Sequence, residues 1–299
     1  MLDIPLFNNI SALFQQSPVF FYLTIALISL SIGSFLNVVV YRLPKILEYT
    51  WYHECREFLE DEVKGIKPKE LTAMTLSKPD STCPHCGHKI RFYENIPVLS
   101  WLVLKGKCSG CKNPISMRYP LVEATTALLS LVVAQHYGVS IETLLVLILT
   151  WGLVSLTLID LDHMLLPDQI TLPLLWLGLL ININGTFVNL TDAVIGAAVG
   201  YMSLFSVFWL FKLLTGKEGM GFGDFKLLAV FGAWAGWQLL PILILMASVV
   251  GAIVGISLMV FKNHQREQAI PFGPYLAVAG WITLLWGEGI WSWYLLQLG

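Results

Sequence analysis

The sequence contains a series of long apolar stretches, and these constrain the fold more than any other feature. A transmembrane helix needs about 20 consecutive apolar residues, and stretches near that length recur from residue 18 to the end of the chain. Charged residues make up 13% of the 299 residues and hydrophobic residues 56%, whereas a soluble domain carries about 25% charged residues. The sequence therefore predicts an all-α polytopic membrane protein.

We expect about eight transmembrane helices, with seven as the alternative count. Two of the stretches are short, and the helices they form are expected to be tilted or only partly immersed. The first 17 residues contain no Lys or Arg, so they lack the basic region of a signal peptide, and the first helix is expected to be retained. The stretches lie at 18–41, 119–137, 142–160, 170–185 (short), 192–213, 225–240 (short), 242–261 and 274–296.

The basic residues indicate the orientation of the chain in the membrane. With eight spans, all 18 Lys and Arg fall on one side, in or within a residue or two of the loops 42–118, 161–169, 214–224 and 262–273. Loops enriched in Lys and Arg face the cytoplasm. We therefore expect these loops in the cytoplasm and both termini on the opposite side.

The chain divides into three predicted parts. Residues 1–41 are an N-terminal tail and the first span, residues 42–118 form a cytoplasmic segment of 77 residues, and residues 119–299 form a membrane-embedded bundle. An acidic run at 54–62 in the cytoplasmic segment has two interpretations. It is either a solvated helix face or a docking surface for a basic peptide.

Two Cys-x-x-Cys pairs in the cytoplasmic segment predict a small zinc-knuckle domain between the first two spans. They read "CPHCG" at 83–87 and "CSGC" at 108–111. Four thiolates from two tight turns suit tetrahedral Zn²⁺, and the alternative of two disulfides is disfavoured in a reducing cytoplasm. Because four ligands leave no open position, the metal is expected to be structural, and His85 and His88 are expected not to bind it. The predicted ligands are Cys83, Cys86, Cys108 and Cys111.

Acidic residues at the border of the third predicted span are candidates for function, because carboxylates in membrane helices are costly. Asp160 lies in the last turn of that helix, where a carboxylate opposes the helix macrodipole. Asp162 lies about 200° around the helix from Asp160, so only one of the two can face a given partner. Asp168 follows Pro167 and is interpreted mainly as a helix cap. Glu123, just inside the second span, is assigned no role.

Asp224 lies at the same predicted depth as Asp160, 64 residues further along the chain. It follows three alternating glycines in "GMGFGDFKL" at 219–227. One interpretation is a simple N-cap of the next helix. The other is a carboxylate that shares a proton with Asp160, so that one acid and one base can hydrolyse a peptide bond. The glycines would then let the backbone twist and an extended substrate approach.

Several longer motifs carry a family resemblance that covers nearly the whole chain. The motifs are "GSFLNVVVYRLP" at 33–44, the CPxCG and CxxC pair, "RFYENIPVLSW" at 91–101, "RYPLVE" at 118–123, "LIDLDHMLLPD" at 158–168, "GMGFGDFKL" at 219–227 and "IPFGPYLA" at 270–277. Together they resemble the type IV prepilin peptidases, which are bifunctional leader peptidases and N-methyltransferases of bacterial inner membranes and belong to the GxGD-type intramembrane aspartyl proteases.

The resemblance implies a substrate, a cofactor and site residues. Asp160 and Asp224 would be the catalytic pair, facing the cytoplasm of an inner-membrane protein whose termini are periplasmic. The substrates would be type IV prepilins and type II secretion pseudopilins, cleaved after a glycine to remove a short basic leader. The new N-terminal residue, typically phenylalanine, would be methylated from S-adenosylmethionine. No strand–GxGxxG–helix unit is found in 42–118, so involvement of the region around Gly106 in methyl transfer rests on resemblance alone.

Three other functions remain open at the level of the sequence. The first is a peptidase without methyl transfer. The second is an ion-coupled transporter in which Glu123, Asp160 and Asp224 form an ion path, although a transporter more typically places such groups near the midplane between inverted repeats. The third is a pilus-assembly scaffold that docks through the zinc-knuckle domain. The expected surroundings are the lipid bilayer and protein substrates, with no nucleic acid.

Overall fold

The computed structural model of the protein describes residues 5–59, 73–262 and 270–298. Within these ranges the regular structure is helical, with two isolated β-bridges and no strand, which confirms the all-α prediction. The helices are α1 (Pro5–Gln16), α2 (Pro18–Phe58), α3 (Leu99–Val103), α4 (Arg118–Tyr137), α5 (Ile141–His163), α6 (Asp168–Ile181), α7 (Leu190–Thr215), α8 (Phe222–Ala235), α9 (Leu240–Lys262) and α10 (Gly273–Leu298).

Each of the eight predicted spans overlaps with one of these helices, namely α2 and α4 through α10. Among the described residues, α2, α5, α7 and α9 are long and apolar enough to cross a bilayer, which indicates a membrane protein. The count of eight stays a prediction. Helices α6 and α8 have 14 residues each, about 21 Å at 1.5 Å per residue, so they are shorter than the hydrocarbon core, as expected.

Helix α2 does not end at residue 41 but continues to Phe58. Arg42, interpreted from the sequence only as a cytoplasmic charge, is buried. Its guanidinium donates hydrogen bonds of 3.1, 3.3 and 2.7 Å to the carbonyls of Thr75, Leu76 and Pro79. Arg42 therefore ties α2 to the segment that leads into the first cysteine pair.

The acidic run extends from the end of this helix. Glu54 and Glu57 are exposed on α2. Glu60, Asp61 and Glu62 lie outside the described residues. Whether the run is a solvated face or a docking surface stays open.

The chain forms two compact units, Met1–Leu147 and Ile148–Gly299. The first holds the four cysteines and packs α2 against α4, where Gly33 allows close approach because a Cβ there would lie 2.8 Å from Glu123 Cα. The second holds Asp160 and Asp224. The predicted division into three parts stays a prediction.

Helix α8 is the core of the second unit. Nearly every residue from Asp224 to Ala235 is buried, which suits a helix that is apolar all round. It packs on α6, α7 and α10. The contact with α7 is glycine on glycine, since a Cβ on Gly232 would lie 2.0 Å from the Gly196 carbonyl oxygen.

Replacing Gly232 by alanine is expected to destabilise the second unit. The added methyl must displace the α7 backbone, and overpacking of this kind costs about 1–3 kcal/mol. We expect a lower thermal midpoint for the purified protein in detergent. Gly289→Ala in α10 is the matched control, because a Cβ there meets nothing within 4 Å. Equal midpoints for the two variants would contradict the glycine contact.

Candidate active site and metal centre

The four cysteines come from two turns of the same geometry, a first knuckle (82–89) and a second knuckle (107–114). In the first, the Cys83 N–H donates to the His88 carbonyl at 2.9 Å, and the Gly87 N–H donates to the Cys83 carbonyl at 2.9 Å. The second repeats both bonds around Cys108, at 2.9 and 3.0 Å. Each knuckle is closed by an antiparallel bridge between its first and last residues.

The sixth residue of each knuckle has a left-handed backbone conformation, which this turn requires. In the first knuckle this residue is Gly87, with φ 69°. In the second knuckle it is Lys112, with φ 62°. Gly110 is a close-approach position, since a Cβ there would lie 3.3 Å from the His88 Cβ.

The four sulfur atoms lie within 4.8 Å of one another. Between the two knuckles, the Sγ atoms of Cys83 and Cys111 lie 3.8 Å apart, and those of Cys86 and Cys108 lie 4.0 Å apart. Tetrahedral zinc with Zn–S bonds of about 2.3 Å would place its sulfurs about 3.8 Å apart, whereas a disulfide has an S–S distance of about 2.05 Å. All four thiols are free, so the cluster fits a metal ion and not the disulfide alternative.

Backbone groups of the knuckles favour the thiolate, which is the form that binds metal. The N–H groups of His85 and Cys86 lower the pKa of the Cys83 thiol to about 7. The N–H groups of Cys111 and Gly110 lower the pKa of Cys108 in the same way. The turns therefore supply the spacing of a metal site and favour the thiolate at Cys83 and Cys108. At Cys86 the His88 N–H also favours the thiolate, but burial and the neighbouring thiols outweigh it and raise the pKa to about 11.

The two knuckles are joined by a polar network beside the sulfurs. His88 Nε2 lies 3.1 Å from Glu94 Oε2 and 3.0 Å from Ser109 Oγ in the second knuckle. Glu94 accepts the Arg91 N–H at 2.9 Å, and this bond, followed by contacts with Ser109 and His88, lowers its pKa to about 2. His88 is thus engaged by other partners, and neither it nor His85 is in the group of potential metal ligands found among the described residues.

Asp160 is 5% exposed in the last turn of α5, where the sequence predicted it. Its Oδ2 accepts a 3.0 Å hydrogen bond from the N–H of Gly273, the first residue of α10. The N-terminus of a helix carries partial positive charge. Asp160 therefore opposes the dipole of its own helix but is compensated by that of α10.

Asp224 is 6% exposed and lies in the first turn of α8. The interpretation of Asp224 as an N-cap is wrong, because Gly221 occupies that position. Among the described residues its Oδ1 is buried without a hydrogen-bond partner, and the Asp160 carboxylate lies within electrostatic range. A buried, unpartnered oxygen requires an explanation, and a water or a substrate group at this point would provide one.

Leu166 is buried in the turn between α5 and α6. It packs against Gly223, which precedes Asp224, and against Gly273, which donates to Asp160. A Cβ on Gly223 would lie 2.7 Å from Leu166 Cβ, and one on Gly273 would lie 3.1 Å from Leu166 Cδ1. None of the glycines at 219, 221 and 223 has a positive φ, so the predicted twist is not what they provide. Gly223 permits close packing, and Gly221 is open, with Asp224 Oδ2 its nearest neighbour at 3.7 Å from a Cβ.

The next two aspartates after Asp160, Asp162 and Asp168, are exposed. The prediction that Asp168 caps α6 is wrong, because its side chain makes no cap hydrogen bond. The carboxylate pairs instead with Lys226, at 2.6 Å. This ion pair joins the first residue of α6 to the fifth residue of α8. Asp162 lies on the exposed side of α5, as expected from its angle to Asp160.

Glu123 and Gly106 of the first unit each make a contact that the sequence did not reveal. Glu123 is buried, and its Oε2 accepts the Val98 N–H at 2.7 Å. Val98 has φ 60°, which is rare for a β-branched residue. Gly106 has φ 67° and packs on Trp101, whose ring lies 2.8 Å from a would-be Cβ. This packing explains the glycine, and its involvement in methyl transfer stays a prediction.

Comparison with known families identifies two matching models. One, described as the bacterial peptidase A24 N-terminal domain, matches residues 27–137. The other, described as the type IV leader peptidase family, matches residues 147–256 and so contains both buried aspartates of the second unit. The N-terminal match contains all four clustered cysteines.

Curated relatives match over almost their whole length. A prepilin leader peptidase/N-methyltransferase of Aeromonas hydrophila is 58% identical over 93% of this chain and 95% of its own. That of Pseudomonas aeruginosa is 57% identical over 93% and 94%, and that of Legionella pneumophila 46% over 96% and 98%. No solved structure matches the chain.

Proposed function

Since the chain belongs to the type IV leader peptidase family, we propose that it removes the leader of type IV prepilins and pseudopilins and methylates the new N-terminal residue. The protein is a protease that is also a methyltransferase, as its relatives are named. The peptidase proposal rests on one observation in the second unit. The buried carboxylates of Asp160 and Asp224 lie within electrostatic range of each other, and Asp224 Oδ1 has no hydrogen-bond partner among the described residues.

In the proposed reaction, Asp160 and Asp224 share one proton. Asp160 is the ionised member, because it accepts the Gly273 N–H at 3.0 Å, and Asp224 carries the proton. Asp160 takes a proton from water as the water oxygen attacks the scissile carbonyl carbon. Asp224 gives its proton to the leaving amine nitrogen as the C–N bond breaks, which yields the carboxyl end of the leader and the free N-terminus of the pilin.

The proposed setting is the bacterial inner membrane, with the aspartates at the cytoplasmic border and both termini periplasmic. The distribution of all 18 Lys and Arg on one side supports this orientation. A basic leader would stay on that same side, while the apolar helix of the prepilin lies in the bilayer. The scissile bond would then lie level with the aspartate pair.

We also propose that the two knuckles hold one structural Zn²⁺ through Cys83, Cys86, Cys108 and Cys111. The sulfur separations of 3.8 and 4.0 Å support four-coordinate binding. S-adenosylmethionine supplies an electrophilic methyl group when bound. A binding region in the cytoplasmic segment near Gly106 is proposed from family resemblance, and no step is assigned to a residue there.

The function is tested by incubating the purified protein in detergent with a prepilin and labelled S-adenosylmethionine. We expect leader release and transfer of label to the new N-terminus. Leader release without transfer of label would indicate a peptidase that has no methyltransferase activity. If neither product forms although the protein and the substrate are intact, the result would favour the transporter or scaffold alternatives.

Replacing Gly273 by alanine is expected to reduce cleavage about 100-fold, the scale associated with a 1 Å misplacement in an active site. The new Cβ would lie 2.6 Å from Asp160 Oδ2 and must displace the carboxylate from the helix terminus. The rate of leader release is measured beside that of Gly289→Ala, which adds a methyl to the same helix in open space. Wild-type rates for Gly273→Ala would contradict the proposed support of Asp160.

A further inference from the structure

The short helix α3, in the segment between α2 and α4, exposes its apolar side chains. Leu99, Leu102 and Val103 are each more than half exposed, and Val103 is 79% exposed. Two exposed basic residues, Lys105 and Lys107, follow directly. Neighbouring apolar side chains on a surface mark a contact with a protein or a membrane. Helix α3 therefore needs a partner that accepts apolar side chains next to positive charge.

The start of α3 is tied to the interior of a membrane helix. Val98, the residue before α3, donates its N–H to Glu123 Oε2 at 2.7 Å. Glu123 is buried and lies five residues after Arg118, the first residue of α4. Five residues correspond to about 7.5 Å along a helix axis. The chain therefore folds back along α4 before α3 begins.

The packing of α4 on α2 gives the depth of this contact. A Cβ on Gly33 would lie 2.8 Å from Glu123 Cα, so the two residues lie side by side. Gly33 is nine residues before Arg42, the first basic residue of the chain, which corresponds to about 14 Å of helix. One glutamate side chain is too short to span this distance, so Val98 lies on the membrane side of Arg42.

The backbone of this segment suits a non-aqueous setting. Irregular backbone at membrane depth is tolerated only where protein groups satisfy it. The Val98 N–H has the Glu123 carboxylate as its acceptor. The N–H groups of Ser100 and Leu102 donate to the carbonyls of Ile96 and Val98 at 3.0 and 3.1 Å. These bonds also explain why a costly carboxylate lies inside the second span.

We propose that α3 inserts into the lipid leaflet on the side of Arg42, beside α2 and α4. Its exposed apolar side chains would lie among the acyl chains, and Lys105 and Lys107 would reach the lipid phosphate groups. Glu123 is the anchor that holds the start of α3 at this depth. The partner is therefore phospholipid, and the inference is independent of the proposed peptidase and methyltransferase activities.

The inserted helix holds the second knuckle at the membrane surface. Trp101 of α3 packs on Gly106, where a Cβ would lie 2.8 Å from its ring. The indole N–H of Trp101 donates to the Ile115 carbonyl at 3.1 Å. These two residues flank the second knuckle on either side. A helix fixed in the leaflet therefore also fixes the position of this knuckle.

The test uses the wild-type protein reconstituted with a phospholipid that carries a diazirine in its acyl chain. After irradiation and digestion with trypsin, mass spectrometry identifies the labelled peptides. We expect label in peptide 92–105, located by its fragments to 99–103, and little in the peptide that ends at Lys89 and carries the first knuckle. Peptides from α2 are the positive control.

Label in peptide 92–105 no higher than in the knuckle peptide would overturn the inference. Loss of this label on addition of a prepilin would also overturn it, since that result is expected if a protein substrate covers α3. Neither result depends on leader cleavage, so both are distinct from a failure of the proposed function.

A matched pair of variants tests the anchor. Glu123→Leu removes the acceptor of the Val98 N–H and should lower the label in peptide 92–105 about tenfold, the scale of a hydrogen bond to a charged group. Glu123→Gln keeps a side-chain oxygen and should retain most of the label. Unchanged label in α2 shows that a variant is inserted, and equal label in peptide 92–105 of both variants would overturn the role of Glu123.

A second substitution keeps the test decisive if Glu123→Leu does not insert. Val103→Glu places a charge on the exposed face of α3, and a charge among acyl chains is costly. We expect less label in peptide 92–105 and unchanged label in α2. Wild-type label in peptide 92–105 of Val103→Glu would overturn the insertion of α3.

Discussion

Asp224→Asn is expected to abolish leader cleavage while the protein still inserts and accumulates. Asparagine keeps the shape of the side chain but cannot hold or release the proton that the leaving amine requires. General acid–base catalysis contributes about 10²–10⁴-fold, so cleavage should fall by at least that range. Because Asp224 Oδ1 has no hydrogen-bond partner among the described residues, the substitution breaks no bond of that oxygen.

The measurement is the initial rate of leader release by purified variants at equal protein concentration. Asp168→Asn is the control, because it alters an exposed carboxylate whose known partner is Lys226, at 2.6 Å. This variant should keep substantial activity. Asp224→Asn with more than a tenth of the wild-type rate would remove Asp224 from the proposed chemistry.

The second large effect is loss of metal on substitution of the clustered cysteines. The purified protein should contain about one zinc per chain, as a closed four-cysteine site binds. Serine at any one of the four positions removes a thiolate from a tetrahedral set and should release most of the zinc. The positions are Cys83, Cys86, Cys108 and Cys111.

The structural consequence of metal loss should be confined to the knuckles. Their turns contain two β-bridges and no described strand or long helix, so they depend on the metal more than α2 and α4 do. We expect faster proteolysis within 73–118 and little change in the membrane helices. Cys55→Ser is the control, since this exposed thiol lies outside the cluster. Wild-type protein without zinc, whose cysteines titrate readily, would contradict the metal site.

The features that the sequence predicted well depend on local spacing. Each Cys-x-x-Cys pair fixes two thiols on one turn. The four-cysteine cluster then required only the assumption that the two turns meet in the fold. Hydropathy predicted one depth for Asp160 and Asp224, and the structure brings the two carboxylates within electrostatic range, although the depth itself stays a prediction. The angle between Asp160 and Asp162 followed from helix geometry, and the structure places one inside and the other at the surface.

The features that the sequence did not reveal depend on contacts between distant segments. Gly273 is 113 residues from Asp160, and the motif "IPFGPYLA" gives no local sign that its glycine donates to a carboxylate. The ion pair of Asp168 with Lys226 spans 58 residues and replaces the cap that Pro167–Asp168 suggested. The glycines before Asp224 were expected to twist the backbone, but at Gly223 it is the neighbouring Leu166 that excludes a side chain.

The most direct test of the proposed catalytic pair is to measure leader cleavage by Asp160→Asn and Asp162→Asn side by side. Both substitutions remove one carboxylate from the same end of α5, but only Asp160 is buried and bonded to Gly273. We predict that Asp160→Asn is inactive and that Asp162→Asn keeps substantial activity. An active Asp160→Asn with an inactive Asp162→Asn would contradict the pairing of Asp160 with Asp224.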